Sequence, residues 1–181
     1  TIVDTDEGPG KAQFDKMPKL SPVFQKDGTV TAANASTIND GAAALILASE
    51  EWVKKHNVKP LAKIVGYSQH AQAPEWFTTA PVEAMRKVLK KSNWDLNGVD
   101  LVEVNEAFAV VALAAKKELS IPHEKLNVHG GAVSIGHPIG ASGARILVTL
   151  AHALKTQGKK RGLASICIGG GEATAMTIEL S

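Results

Sequence analysis

The stretch "GLASICIGGGEATAMTIEL", residues 162–180, decides the fold. Two apolar, strand-like runs, "GLASICIG" and "ATAMTIEL", flank three consecutive glycines, a connection that suits an antiparallel hairpin and is too short for a crossover between parallel strands. Upstream, "ASGARILVTLAHALKTQG" reads as a helix with Ser142 as N-cap and Ile146, Leu147, Leu150, Ala151 and Leu154 on one face. "KLNVHG" is a short strand. "EAFAVVALAAKKEL", 106–119, is apolar nearly all round, as a helix buried between layers would be. "VDLVEV" at 99–104 is strand-like, "APVEAMRKVLKKSN" at 80–93 sets Val82, Met85, Val88 and Leu89 at helical spacing, and "LAKIVGYSQ" at 61–69 is a further strand. The order from residue 60 is therefore β-α-β-α-β-α-β-β. It predicts an α/β fold with a mixed, mostly parallel five-stranded sheet and helices on both faces.

Before this unit, "DGAAALILASEEWVKKHN" predicts a continuous apolar strand at 42–48 and a short helix ending near Asn57, closed by Pro60. Residues 1–38 are rich in Pro, Gly, Asp, Thr and Asn without a sustained period, and read as loop with short strands. A chain of 181 residues is long enough to bury about 70% of its unfolded surface. The opening "TIVDTDEGPGK" has neither a Met start nor an apolar signal region, so the chain reads as a piece of a longer one.

The net charge of +2 comes from scattered pairs such as Lys54-Lys55 and Lys90-Lys91 and one cluster, Lys159-Lys160-Arg161. No aromatic residues interleave them, so they read as solvated helix ends and turns, and no nucleic-acid partner is expected. The longest apolar runs fall well short of the ~20 residues a membrane helix needs, so no membrane association is expected. A single cysteine excludes an internal disulfide framework and a multi-cysteine metal site, and fits an intracellular reducing compartment.

Three spots combine a reactive side chain with unusual backbone where a strand ends. In "SIGHPIGASGARIL", Pro138 forces His137 into an extended conformation and the flanking glycines allow close approach; the imidazole is either held over a crevice or is a structural histidine in a tight turn. In "EVNEAFA", Asn105 stands between strand and helix, either as an N-cap or as an outward amide donor to an oxyanion. Cys167 is either a small buried hydrophobe or a chemical group. As a nucleophile it is badly placed, because no helix N-terminus lowers its thiol pKa from about 8.5; proton transfer suits it better.

At these residues the sequence resembles the thiolase family, specifically its acetyl-CoA acetyltransferase group. The matching motifs are "NEAFA" at 105–109, "GGAVSIGHPIGASGARI" at 130–146, "CIGGG" at 167–171 and "GTVTAANASTINDGAAA" at 28–44. The resemblance implies that residues 1–38 end the substrate-binding loop domain, 39–58 supply the last strand and helix of the N-terminal thiolase half, and 59–181 form the C-terminal half. It implies condensation of two acetyl-CoA to acetoacetyl-CoA and CoA, or the reverse cleavage. Cys167 would be the acid/base, and His137 would activate a nucleophilic cysteine in the absent N-terminal half. His137 and a water held by Asn105 would bind one thioester oxygen, and the Gly169 N–H would serve a second oxyanion hole. Ser36 would touch the pantetheine arm, with Phe24, Ala107 and Phe108 lining its channel.

The resemblance further implies that no cofactor or catalytic metal is required, that the protein is a homodimer or homotetramer, and that it is cytoplasmic or in the mitochondrial matrix. "TAANAST" and "KMPKLSPVF" resemble mitochondrial-type members, some of which hold a potassium ion through backbone carbonyls in the alanine stretch. The chain alone is expected to be inactive and to expose an apolar face where the absent half packs. Two rivals stand beside this reading: a non-catalytic module binding CoA or acyl groups, and a Cys-His hydrolase using Cys167 directly.

Overall fold

The computed structural model describes residues 1–181. Its helices are α1 (Glu7–Lys11), α2 (Glu50–His56), α3 (Ala80–Ser92), α4 (Ala109–Leu119), α5 (Ala132–Ile135) and α6 (Ser142–Thr156); its strands are β1 (Ala62–Ala71), β2 (Leu101–Val104), β3 (Arg161–Ile168) and β4 (Glu172–Leu180). One mixed sheet has the order β1-β4-β3-β2.

The sheet has four strands rather than five, and it is not mostly parallel. The glycine turn makes β4 antiparallel to β3, β4 occupies the place beside β3, and β1 pairs antiparallel with β4; only β2 runs parallel to β3. The fifth strand, expected in "KLNVHG", is reduced to a parallel bridge between Leu126 and Val102. Asn127 stops it. Its backbone turns left-handed at φ 46°, and its side-chain amide replaces a peptide group, accepting from the Val104 N–H at 2.8 Å and donating to the Val104 C=O at 2.9 Å.

Helices cover both faces. Under α3 and α4, Met85, Val88, Val111 and Ala115 bury Val102, Val104, Leu163, Cys167 and Ala173. Under α6, Ile146, Leu150 and Leu154 bury Leu101, Ala164 and Ile178. Strand alternation separates these sets, so Leu101 and Glu103 of β2 face α6 while Val102 and Val104 face α3 and α4.

Five further expectations are corrected. The apolar run 42–48 forms no strand, because it reaches no ladder partner: Ile46 is 99% exposed. Helix α4 starts at Ala109 instead of 106, because the upstream loop pins the preceding residues; Ala35 bridges Phe108, and the Asn34 C=O accepts from the Ala109 N–H at 2.8 Å. Nor is α4 enclosed all round, since Leu113 is exposed. Ser142 is the first residue of α6, with Ala141 as its cap. Finally, an exposed area of 11,487 Å² for 19.0 kDa leaves about 58% of the unfolded surface buried, short of the expected 70%.

Candidate active site

Strand β2 ends at Val104, and the fully buried Asn105 follows it, its backbone N–H donating to the Ser165 C=O of β3 at 2.9 Å. Asn105 caps no helix, because α4 begins four residues later with Phe108 as its cap. Its side chain is free for other work: Nδ2 lies 3.2 Å from His137 Nε2, and Oδ1 accepts from Arg145 at 3.3 Å. The amide and imidazole meet directly.

His137 lies in the segment between α5 and α6, just before Pro138. Its backbone N–H donates to the Thr37 C=O at 2.9 Å, and its Nδ1 lies 2.6 Å from Ser142 Oγ. The first turn of α6 thus places Ser142 against the imidazole and, three residues on, Arg145 against the amide. Desolvation holds the His137 pKa below the usual histidine value, and the Arg145 guanidinium adds to that. The ring is neutral at physiological pH and can accept a proton.

Cys167 is 7% exposed near the end of β3, in the core cluster against which Ala107 and Phe108 also pack. No hydrogen bond joins its sulfur to His137 or Asn105. Burial pushes the thiol up to about 11, so it is protonated at neutral pH and further from a nucleophile than an ordinary cysteine. Beyond it the turn opens. A Cβ at Gly169 would meet nothing within 4 Å, whereas one at Gly171, at φ 105°, would lie 2.2 Å from the Gln72 carbonyl oxygen.

The remaining expected residues form a wall at the start of α4. Phe24 and Phe108 make an edge-on pair at 5.5 Å, and Ser36 Oγ donates to the Ala107 C=O at 2.9 Å. That bond uses the Ser36 proton and leaves its lone pairs for a ligand. Phe77, edge-on to Phe108 at 6.3 Å, joins this wall and was not anticipated from the sequence.

Sequence reading also missed the charged pair behind Asn105. Arg145 lies with its guanidinium 3.8 Å from the buried Glu103 carboxylate; Arg145 Nε and Glu103 Oε2 are both buried without a hydrogen-bond partner. Burial pushes Glu103 up to about 7, the Arg145 cation working against the shift and the Glu106 charge adding to it. A lone Glu in the apolar "LVEV" was the signal that could have revealed it.

No three His, Cys, Asp or Glu side chains converge in a metal-holding group. In the loop "TAANAST" the Thr31 and Asn34 carbonyls accept the backbone N–H groups of Asn34 and Ala109. No helix is long and apolar enough to cross a membrane.

Solved structures share this architecture. The Bacillus anthracis acetyl-CoA acetyltransferase superposes with a TM-score of 0.92 at 49% identity, covering 97% of this chain and 45% of that one. A human mitochondrial 3-ketoacyl-CoA thiolase in complex with CoA gives 0.86 at 47% identity, covering 94% and 43%. The fold is that of the thiolases.

The chain belongs to the thiolase family: the thiolase C-terminal domain profile matches residues 58–180 and the thiolase N-terminal domain profile matches residues 1–51. Among relatives, a probable acetyl-CoA acetyltransferase of Dictyostelium discoideum is 55% identical over 99% of this chain, and acetyl-CoA acetyltransferase 1 of Arabidopsis thaliana is 54% identical over 98%. The chain spans 43% of the length of each.

Proposed function

We propose that this chain is the C-terminal portion of an acetyl-CoA acetyltransferase, which joins two acetyl-CoA into acetoacetyl-CoA and CoA or runs the reverse cleavage. The observation that carries the reading is the buried contact between Asn105 and a neutral His137 at the end of the sheet. A neutral imidazole takes the proton of a cysteine thiol supplied by the N-terminal part. The resulting imidazolium offers an N–H to a thioester oxygen, supported by the Asn105 amide.

Cys167 exchanges the carbon-bound proton. In cleavage its thiol protonates the departing enolate of acetyl-CoA; in condensation its thiolate removes that proton, and the enolate carbon attacks the acylated cysteine, forming C–C and breaking C–S. A thiol near 11 rests in the form that cleavage uses first. The open space at Gly169 supports its N–H as a donor to the second oxyanion, and the Phe24–Phe108 wall with Ser36 supports a channel for the pantetheine arm.

In this reading residues 1–38 end the loop domain, 39–58 close the N-terminal half and 59–181 form the C-terminal half. The gap between the matched profiles, at 52–57, holds most of α2 and supports the second boundary. The protein works as a homodimer or homotetramer in the cytoplasm or mitochondrial matrix, where cysteine thiols stay reduced.

The test uses the complete thiolase containing these residues, supplied with acetyl-CoA. Acetoacetyl-CoA and CoA should form in equal amounts, and His137→Ala or Cys167→Ser should each lower turnover by about 10²–10⁴-fold. Acetate and CoA without acetoacetyl-CoA would favour the hydrolase; CoA binding without turnover would favour the non-catalytic module.

A further inference from the structure

The polar groups behind His137 form one directed series whose first member is a permanent cation. A guanidinium only donates, so the Asn105 atom facing Arg145 at 3.3 Å must be the carbonyl oxygen. That orientation turns Nδ2–H toward His137 Nε2 at 3.2 Å, and the ring must present a lone pair there. The ring proton then resides on Nδ1 and is donated to Ser142 Oγ at 2.6 Å, while the Ser142 hydroxyl donates to the Pro138 C=O at 3.0 Å. Every bond runs the same way.

Arg145 is held from the far side by Glu103, which lies on the same face of β2 as Asn105, two residues earlier; the side chains are 15% and 2% exposed. Burying such a pair costs desolvation that well-packed apolar residues avoid, and here the Arg145 Nε and Glu103 Oε2 are unsatisfied as well. Packing alone therefore does not account for it. Control of the amide does.

We propose that Arg145, backed by Glu103, is a positioning residue that fixes which end of the Asn105 amide faces His137 and thereby holds the imidazole in its Nδ1–H tautomer. This rests on the reading above, in which that imidazole and amide act on a thioester. Without the guanidinium the amide is free to rotate, its carbonyl then faces the ring, and the proton moves to Nε2, where a base needs its lone pair. The charged groups packed here are Arg145 from α6, Glu103 from β2 and Glu106 from the segment that follows β2.

The experiment compares Arg145→Met, Arg145→Lys, Asn105→Ala and the Arg145→Met/Asn105→Ala double variant in the complete thiolase. Arg145→Met should lower condensation kcat by roughly 10- to 100-fold with KM for acetyl-CoA changed by less than about threefold, since the loss is one of orientation. Arg145→Lys, which still only donates, should recover most of it. The double variant should be no worse than Asn105→Ala, because Arg145 acts through that amide. Imidazole nitrogen NMR should show the Nδ1–H tautomer in the parent and a shift toward Nε2–H in Arg145→Met.

Multiplying losses in the double variant, or an unchanged tautomer, would overturn the proposal. A parent that makes no acetoacetyl-CoA defeats the functional reading alone, and the tautomer measurement still decides this one. If Arg145→Met does not fold, Arg145→Gln, whose amide can accept as well as donate, takes its place in the same measurements.

Discussion

At the scale of single residues, burial separates the titrating groups. The Cys167 thiol, pushed up to about 11, should react with iodoacetamide at pH 8 about two orders of magnitude more slowly than a free thiol of pKa about 8.5, with the rate still climbing above pH 10. Rapid alkylation at pH 8 would show an activating neighbour that this arrangement lacks. Glu103 makes a second prediction. The unfolded chain releases this proton near 4.5 and the folded chain near 7, so the protonated carboxyl contributes stability that is intact below 4.5 and lost as pH rises through 7. The loss is of the order of 3 kcal/mol. Glu103→Gln removes the titration, so calorimetry should find parent and variant alike in melting temperature near pH 4.5, with the parent several degrees lower at pH 8.5. Of the residues involved, Cys167, His137 and Asn105 were legible in the sequence because each stands beside a glycine, a proline or a strand end. Arg145 and Ser142 were not, because their partners are fixed only when α6 docks on β2.

At the scale of elements, β3, β4 and the turn between them were legible because two apolar, strand-like runs joined by three glycines leave few alternatives. The partial strand at 125–130 was not, because the amide of Asn127 completes the ladder in place of backbone, and no apolar pattern encodes that. The turn itself permits a sharp comparison. At Gly171 a side chain would meet both a left-handed backbone and the Gln72 carbonyl oxygen, so Gly171→Ala should destabilise the protein by about 1–3 kcal/mol or more. Gly169→Ala meets open space and should leave melting unchanged to within about 0.5 kcal/mol. If its N–H serves an oxyanion, the added methyl should nevertheless reduce turnover, by hindering the close approach of the thioester. Thermal melting and kcat of the two variants in the complete thiolase check this; equal melting temperatures would remove the distinction between a structural and a ligand-facing glycine.

At the scale of the whole molecule, the surface is too large for the mass. A compact chain of 19.0 kDa exposes about 8,400 Å², and this one exposes 11,487 Å², an excess of about 3,000 Å² that matches a large protein interface. The excess is partly apolar and grouped. Leu45, Ile46 and Leu47 are exposed in the run that makes no strand, and beside α6 a cavity of about 290 Å³ opens between Tyr67, Ile146, Leu147, Ile166 and Met176. The continuous apolar run 42–48 reads as a strand in the sequence, yet it pairs with no other strand and stands in solvent. An exposed patch of this kind favours association. The 181-residue chain made alone should therefore bind a hydrophobic dye and self-associate at micromolar concentration, and Ile46→Lys with Leu47→Lys should reduce both. The same two substitutions in the complete thiolase should instead destabilise it by several kcal/mol, because they would place unpaired charges in a buried strand. Dye fluorescence, light scattering and thermal melting read both arms. Substitutions that leave the complete protein unaffected would mean that the run stays in solvent there too, and the excess surface would then have to be covered elsewhere.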